Sequence, residues 1–175
     1  LPEEKSPIIK KTKRKSTSHA NRGMKFEEKI IKQCGEYERV GKAYIYKLPT
    51  EFKIVRGAGG KIVSAFPVSK SKLDFYGTLP DGMALHIEAK SASGTSLPFS
   101  NISDHQIDYM RYLSLITPYV FLLVEMKKYN EVYLINSKEA LHYIDHADRK
   151  SFPYDWLQKH GTLLEGVDFL PVILT

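Results

Sequence analysis

Apolar and polar residues alternate along Met83–Lys90. Met83, Leu85, Ile87 and Ala89 fall on one side and Ala84, His86, Glu88 and Lys90 on the other, as successive side chains do on a β-strand. A different period runs through residues 24–38. There Ile30, Ile31 and Cys34 recur at helical spacing after Asn21, a residue suited to capping a helix. Glu27 precedes these three by three, four and seven positions and shares their apolar face, whereas Glu28 aligns with Lys32 and Gly35 on the wet face. An acid aimed inward needs a partner, because burying an unpaired charge is costly. Periodicity favours a structural ion pair for Glu27 over a metal site and leaves both open.

Strands are expected at Ala43–Leu48, Phe52–Val55 and Ile62–Val68. Between the last two, Arg56-Gly57-Ala58-Gly59-Gly60-Lys61 is a flexible turn flanked by cations. The G-x-x-x-x-G-K-[ST] spacing is absent and no helix start follows, so nucleotide binding is rejected. The two strands form a projecting hairpin over about 51–71. Arg56 and Lys61 on it suit either contact with a DNA backbone or plain solvation. Ser91–Ser96 reads as a loop. Ser103 then opens a helix to about Leu115, with Ser103 and Gln106 at capping-box spacing. Tyr119–Glu125 is nearly continuously apolar, as a strand buried on both faces is, and Glu131–Asn136 alternates as its neighbour. A helix capped by Ser137 to about Asp145, another over Pro153–His160 and a closing strand at Phe169–Leu174 complete the pattern. This order predicts one α/β domain over 21–175, a mixed sheet flanked by helices.

Composition narrows the setting. A chain of 175 residues can bury a real core. The one cysteine, Cys34, is most simply a buried small hydrophobe, and it rules out an internal disulfide framework or a multi-cysteine zinc site. No apolar run reaches membrane-span length and Leu1–Lys5 lacks the apolar core of a secretory signal, so a cytoplasmic protein is expected. The net charge of +6 is concentrated: Lys5, Lys10, Lys11, Lys13, Arg14, Lys15 and Arg22 oppose only Glu3 and Glu4 within the first 22 residues. Residues 1–20 have no hydrophobic period and are expected to be a disordered basic tail. Such a tail either grips nucleic-acid phosphates or merely solubilises the terminus.

The candidate chemistry lies in the middle of the chain. Glu88 and Lys90 project side by side from one strand, and Asp74 lies fourteen positions before Glu88. A turn through Pro80-Asp81-Gly82 can lay Asp74 back beside them. Two carboxylates and an ammonium converging in this way are what metal-assisted phosphodiester cleavage requires, and the residues point to a nuclease.

Asn21-Arg-Gly-Met, Phe26-Glu-Glu, Leu48-Pro-Thr, Asp74-Phe-Tyr-Gly, Ile87-Glu-Ala-Lys, Pro98-Phe and Asp104-His-Gln-Ile-Asp-Tyr-Met occur in order. In this the chain resembles the RecU Holliday-junction resolvases of the PD-(D/E)xK nuclease superfamily. The resemblance implies a restriction-endonuclease-like fold with 51–71 as a stalk. It also implies Mg²⁺ (with Mn²⁺ as a substitute) ligated by Asp74 and Glu88, with Lys90 as the superfamily lysine. Glu27 would be the acid of the first helix and a further metal ligand, and Gln106 would both cap its helix and face the site. The implied activity is paired symmetric nicking of four-way junctions by a homodimer, leaving 5′-phosphates, in concert with recombination proteins. Other substrates such as flaps or ends, or a non-catalytic junction-binding role, are the alternatives. Two departures stand out: Leu73 occupies the place of the superfamily proline, and His86 sits where an acid is common. His86 is not expected to be a ligand.

Overall fold

The computed structural model describes residues 20–49, 52–67 and 72–175. The tail cations Lys10, Lys11, Lys13, Arg14 and Lys15, the side chain of Arg22 and parts of the 51–71 stalk lie outside the described residues. In chain order the elements are α1 (Ala20–Arg39), β1 (Tyr44–Lys47), β2 (Phe52–Arg56), β3 (Ile62–Pro67), β4 (Phe75–Thr78), β5 (Ala84–Ala92) and β6 (Ser96–Pro98). They continue with α2 (Asp104–Leu113), β7 (Val120–Met126), β8 (Glu131–Asn136), α3 (Ser137–His146), β9 (Ser151–Pro153), α4 (Tyr154–His160), β10 (Thr162–Leu163) and α5 (Leu170–Ile173).

Six strands make the central sheet in the order β1-β4-β5-β7-β8-β10. Every pairing is antiparallel except β5 with β7. A parallel pair needs a long crossover, and here the crossover carries α2 over the sheet. One face of the sheet buries Leu85, Ile87, Ala89 and Leu123 against α1 and the C-terminal segment. The other buries Val120, Leu122 and Val124 with residues of α2, α3 and α4. The expected mixed sheet between helices is therefore present. No described helix is long and apolar enough to cross a membrane.

The inner face of α1 is Phe26, Ile30, Cys34 and Tyr37, all buried, a stripe at i, i+4, i+8 and i+11. Ile31, expected inside, is 46% exposed. The two aromatics claim the buried face, and Tyr37 is locked there: its hydroxyl donates to Asp168 at 2.6 Å and accepts from the Phe169 and Leu170 N–H groups. Asn21 lies within α1 and is not its cap. At α3 the cap is Asn136, whose side chain accepts from Lys138 N–H, so Ser137 is the first helical residue. The closing segment is the short helix α5 and not a strand, with Pro171 in its first turn, where a missing N–H costs nothing.

β2 and β3 pair only with each other. Ile54, Val55, Ile62, Val63 and Phe66 are all exposed on this hairpin, which forms no ladder with the main sheet. Gly59 and Gly60 turn its tip with φ of 76° each, a conformation open to glycine and strained for other residues.

Candidate active site

The antiparallel register of β4 and β5 sets Phe75 opposite Ile87. One step further, Asp74 comes level with Glu88, so a separation of fourteen residues closes to neighbouring strands. Asp74 is pinned there. Its Oδ2 accepts from Ala89 N–H at 2.9 Å, and its carbonyl accepts from Leu48 N–H at 2.8 Å.

Glu88 is fully buried, 0% exposed. Its Oε1 accepts from Gln106 Nε2 at 2.6 Å and meets Lys90 Nζ at 2.5 Å. Its Oε2 is buried and has no hydrogen-bond partner. Burial first, and the Asp74 charge second, push the Glu88 carboxyl up to about 8 against the opposing pull of Lys90. Burial also raises Asp74, with the Ala89 N–H opposing it. Two carboxylates facing one ammonium leave an excess negative charge in a dry place, which a proton or a cation must neutralise.

Gln106 holds the third corner. Its Oε1 accepts from Ser103 N–H at 3.1 Å and from Ser103 Oγ at 2.9 Å, and Lys90 Nζ lies 3.4 Å away. It both caps α2 and orients Glu88, joining the two roles read for it. Glu27 is half-buried and paired with Lys47 of β1. It lines the same cleft as Asp74 and Lys90, a space of about 750 Å³, and its charge contributes to raising Asp74. Among the described residues no group of three or more His, Cys, Asp or Glu side chains is placed to hold one ion. Asp74 and Glu88 are the close pair, and Glu27 faces the same cleft as Asp74.

The donor set fits a hard divalent cation. Adjacent carboxylate oxygens, one of them buried without a partner, are the ligands Mg²⁺ takes, one or two at a time beside its waters. His86 packs its ring against Tyr76 at 5.1 Å, and burial lowers its pKa. It joins none of the carboxylates in a hydrogen bond. Arg56 Nη1 donates to Gly60 O at 2.8 Å, clasping the hairpin tip. Lys61 is exposed there, and neither cation lines the cleft.

Three partners had no chemical reading from the sequence, and Ser91, expected in a loop, lies on β5. Ser91 Oγ donates to Glu125 Oε2 at 2.6 Å and Lys29 Nζ to Glu125 Oε1 at 2.9 Å, tying α1 to the ends of β5 and β7. Nothing distinguishes Glu125 at the end of an apolar run. Lys29, by contrast, is readable as one of a row on the wet side of α1.

A buried Glu88 beside a half-buried Asp74 and Lys90, the last two lining a cleft, is an arrangement of nuclease type. The sequence model described as RecU: Recombination protein U matches residues 21–173, and the chain belongs to that family. It is 34% identical over 178 aligned positions to the Holliday junction resolvase RecU of Streptococcus gordonii, covering 94% of this chain and 88% of that one. With the Holliday junction resolvase RecU of Bacillus cytotoxicus it shares 29% over 177 positions, covering 93% and 88%. Among solved structures, Archaeoglobus fulgidus Hjc, a Holliday junction resolvase, superposes with a TM-score of 0.48 at 16% identity, covering 85% of this chain and 99% of that one.

Proposed function

We propose that this chain is a Mg²⁺-dependent endonuclease that resolves four-way DNA junctions by paired nicks, acting in the cytoplasm as a homodimer beside recombination proteins. The carrying observation is the buried Glu88 with its unpartnered Oε2, level with Asp74 and in contact with Lys90, both of which line an open cleft. Family membership supports the reading, and so do relatives named as Holliday junction resolvases.

Asp74 and Glu88 would hold the cation. When bound, it would neutralise phosphoryl oxygens, lower the pKa of a water and stabilise the leaving oxyanion. The chain's own groups do the rest. Ala89 N–H and Gln106 Nε2 fix the two carboxylates so that neither rotates away when charge builds. Lys90 lies between Glu88 and Gln106, placed to orient the attacking water and to stabilise charge on the phosphoryl group in the transition state. Release of a 3′-hydroxyl leaves a 5′-phosphate. Two symmetric nicks need two such centres, so a second copy of the chain is required. The exposed apolar strands of the β2–β3 hairpin, with Arg56 and Lys61 near its tip, suit insertion into a branched substrate.

The test is one assay with Mg²⁺, or Mn²⁺ in its place, on a junction, a flap, a linear duplex and a single strand of matched sequence. Paired symmetric nicks in the junction alone are expected. Equal cutting of every duplex sinks junction selectivity, and binding without cutting sinks the nuclease. Asp74→Asn or Glu88→Gln should abolish nicking and leave junction binding in place.

A further inference from the structure

The cleavage centre makes no use of the outer side of α1. Lys25, Lys29 and Lys32 are spaced by four and three residues, so they form one row on the helix surface, and all three are exposed. The row borders a groove of about 740 Å³ whose opposite wall includes Glu125 and Lys127 at the end of β7. Lys127 also lines the active-site cleft. Its N–H is bonded to Ala92 O, at the end of the strand that carries Glu88 and Lys90, at 2.9 Å. The groove is thus the continuation of the cleft along α1.

The acids of the groove are already matched. Glu125 is held by Lys29 at 2.9 Å and Ser91 at 2.6 Å, with Lys127 at a looser 3.9 Å, and Glu36 pairs with Arg39 at 2.8 Å. Lys25 and Lys32 pair with no acid among the described residues. The balance left along the groove is positive. The seven-residue step from Lys25 to Lys32 covers ~10 Å of helix axis, about the rise of three base pairs.

We propose that this groove binds the sugar-phosphate backbone of the duplex arm that leaves the cleavage centre, with Lys25, Lys32 and Lys127 as its phosphate contacts and Lys29 as the residue that neutralises Glu125 beneath them. The inference rests on the reading of the cleft as a DNA-cutting site and adds a path for the substrate beyond it. Contacts of this kind carry no base information, so the groove supplies affinity and register in place of sequence choice.

The experiment compares the full chain with Lys25→Gln/Lys32→Gln/Lys127→Gln, keeping Lys29 so that no buried carboxylate is left unpaired. A control triple, Lys138→Gln/Lys150→Gln/Lys159→Gln, removes the same charge from exposed positions elsewhere. Binding to a linear duplex and to a four-way junction is measured in EDTA from 50 to 200 mM salt. The groove triple should flatten the log–log salt slope by roughly 2–3, at about 0.9 per neutralised phosphate, and lose at least about tenfold in affinity near 150 mM. The control triple should leave both nearly unchanged. Lys32→Gln alone, on an exposed helix surface, should flatten the slope by about 1 and serves if the triple folds poorly. Equal slopes for wild type and groove variants overturn the proposal, as do equal losses for the two triples. The wild-type preference for junction over duplex is a separate reading from the same data. A preference near one, with the slope difference intact, defeats the junction assignment and leaves the groove standing.

Discussion

Gln106 Nε2 donates to Glu88 Oε1 across 2.6 Å, joining the first turn of α2 to the middle of β5. The amide is held at its other end by Ser103, so a helix cap fixes the orientation of a buried carboxylate. Gln106→Ala should therefore cost nicking more than folding. A loss of roughly 10–100-fold in the rate at saturating junction is expected, with binding in EDTA within a factor of two or so of wild type. A variant that nicks at the wild-type rate would show that Glu88 needs no such hold.

Glu88 makes a second outcome measurable without any DNA. Its carboxyl is raised from an ordinary 4.5 to about 8 in the folded chain, so folding favours the protonated form. A raised pKa contributes stability that is full below 4.5 and is lost as pH climbs through 8. Glu88→Gln keeps the shape and has no such dependence. In urea titrations with EDTA, wild type should lose roughly 3–5 kcal/mol relative to Glu88→Gln between pH 4.5 and 9. Parallel pH profiles would show that the carboxylate is compensated inside the fold.

Gly77, in the Asp74-Phe-Tyr-Gly stretch, lies on β4 directly opposite Ile45 of β1. A methyl group there would lie 2.5 Å from Ile45 Cγ1 and 2.7 Å from Tyr44 O. The backbone oxygen cannot swing aside as a side chain can. Gly77→Ala should destabilise the fold by roughly 1–3 kcal/mol, read from the urea midpoint at constant slope. It should also loosen β1, which carries Lys47, the partner of Glu27.

Removing residues 1–20 takes away six of the seven cations of the first 22 residues. DNA affinity should fall and the salt slope should flatten, by roughly 0.9 for each phosphate that the tail neutralises. The melting temperature of the remaining domain should stay put. An unchanged slope assigns the tail to solubility alone.

The centre of the fold was legible because its pattern was local. Alternation through Met83–Lys90 placed Glu88 and Lys90 on one face, and the Pro80-Asp81-Gly82 turn was enough to return Asp74 beside them. Gln106 was readable from its spacing to Ser103. The errors fall where tertiary contacts overrule a short pattern. Ile31 and Phe26 both fit a helical stripe, and only Tyr37, anchored by backbone groups more than 130 residues away, decides between them. Phe169–Leu174 is a short apolar run whose period cannot tell strand from helix. Asn136 and Ser137 are both good caps, and the end of β8 selects the first. Glu125 and Ser91 meet only because β5 and β7 run parallel in register, with Ser91 opposite Glu125.

That parallel pairing has a consequence for when the protein becomes dangerous to DNA. Every residue proposed for the cutting centre lies before α2 ends, yet Leu122 sits beside Glu88 on the neighbouring strand and packs into the core that α2 joins. A ribosome-bound chain that has not yet released β7 carries all the reactive side chains and no dry pocket to hold them. The loop to be closed spans some thirty residues, and pairings that distant in sequence form slowly. The pocket that buries Glu88 is thus completed only once β7 has paired with β5.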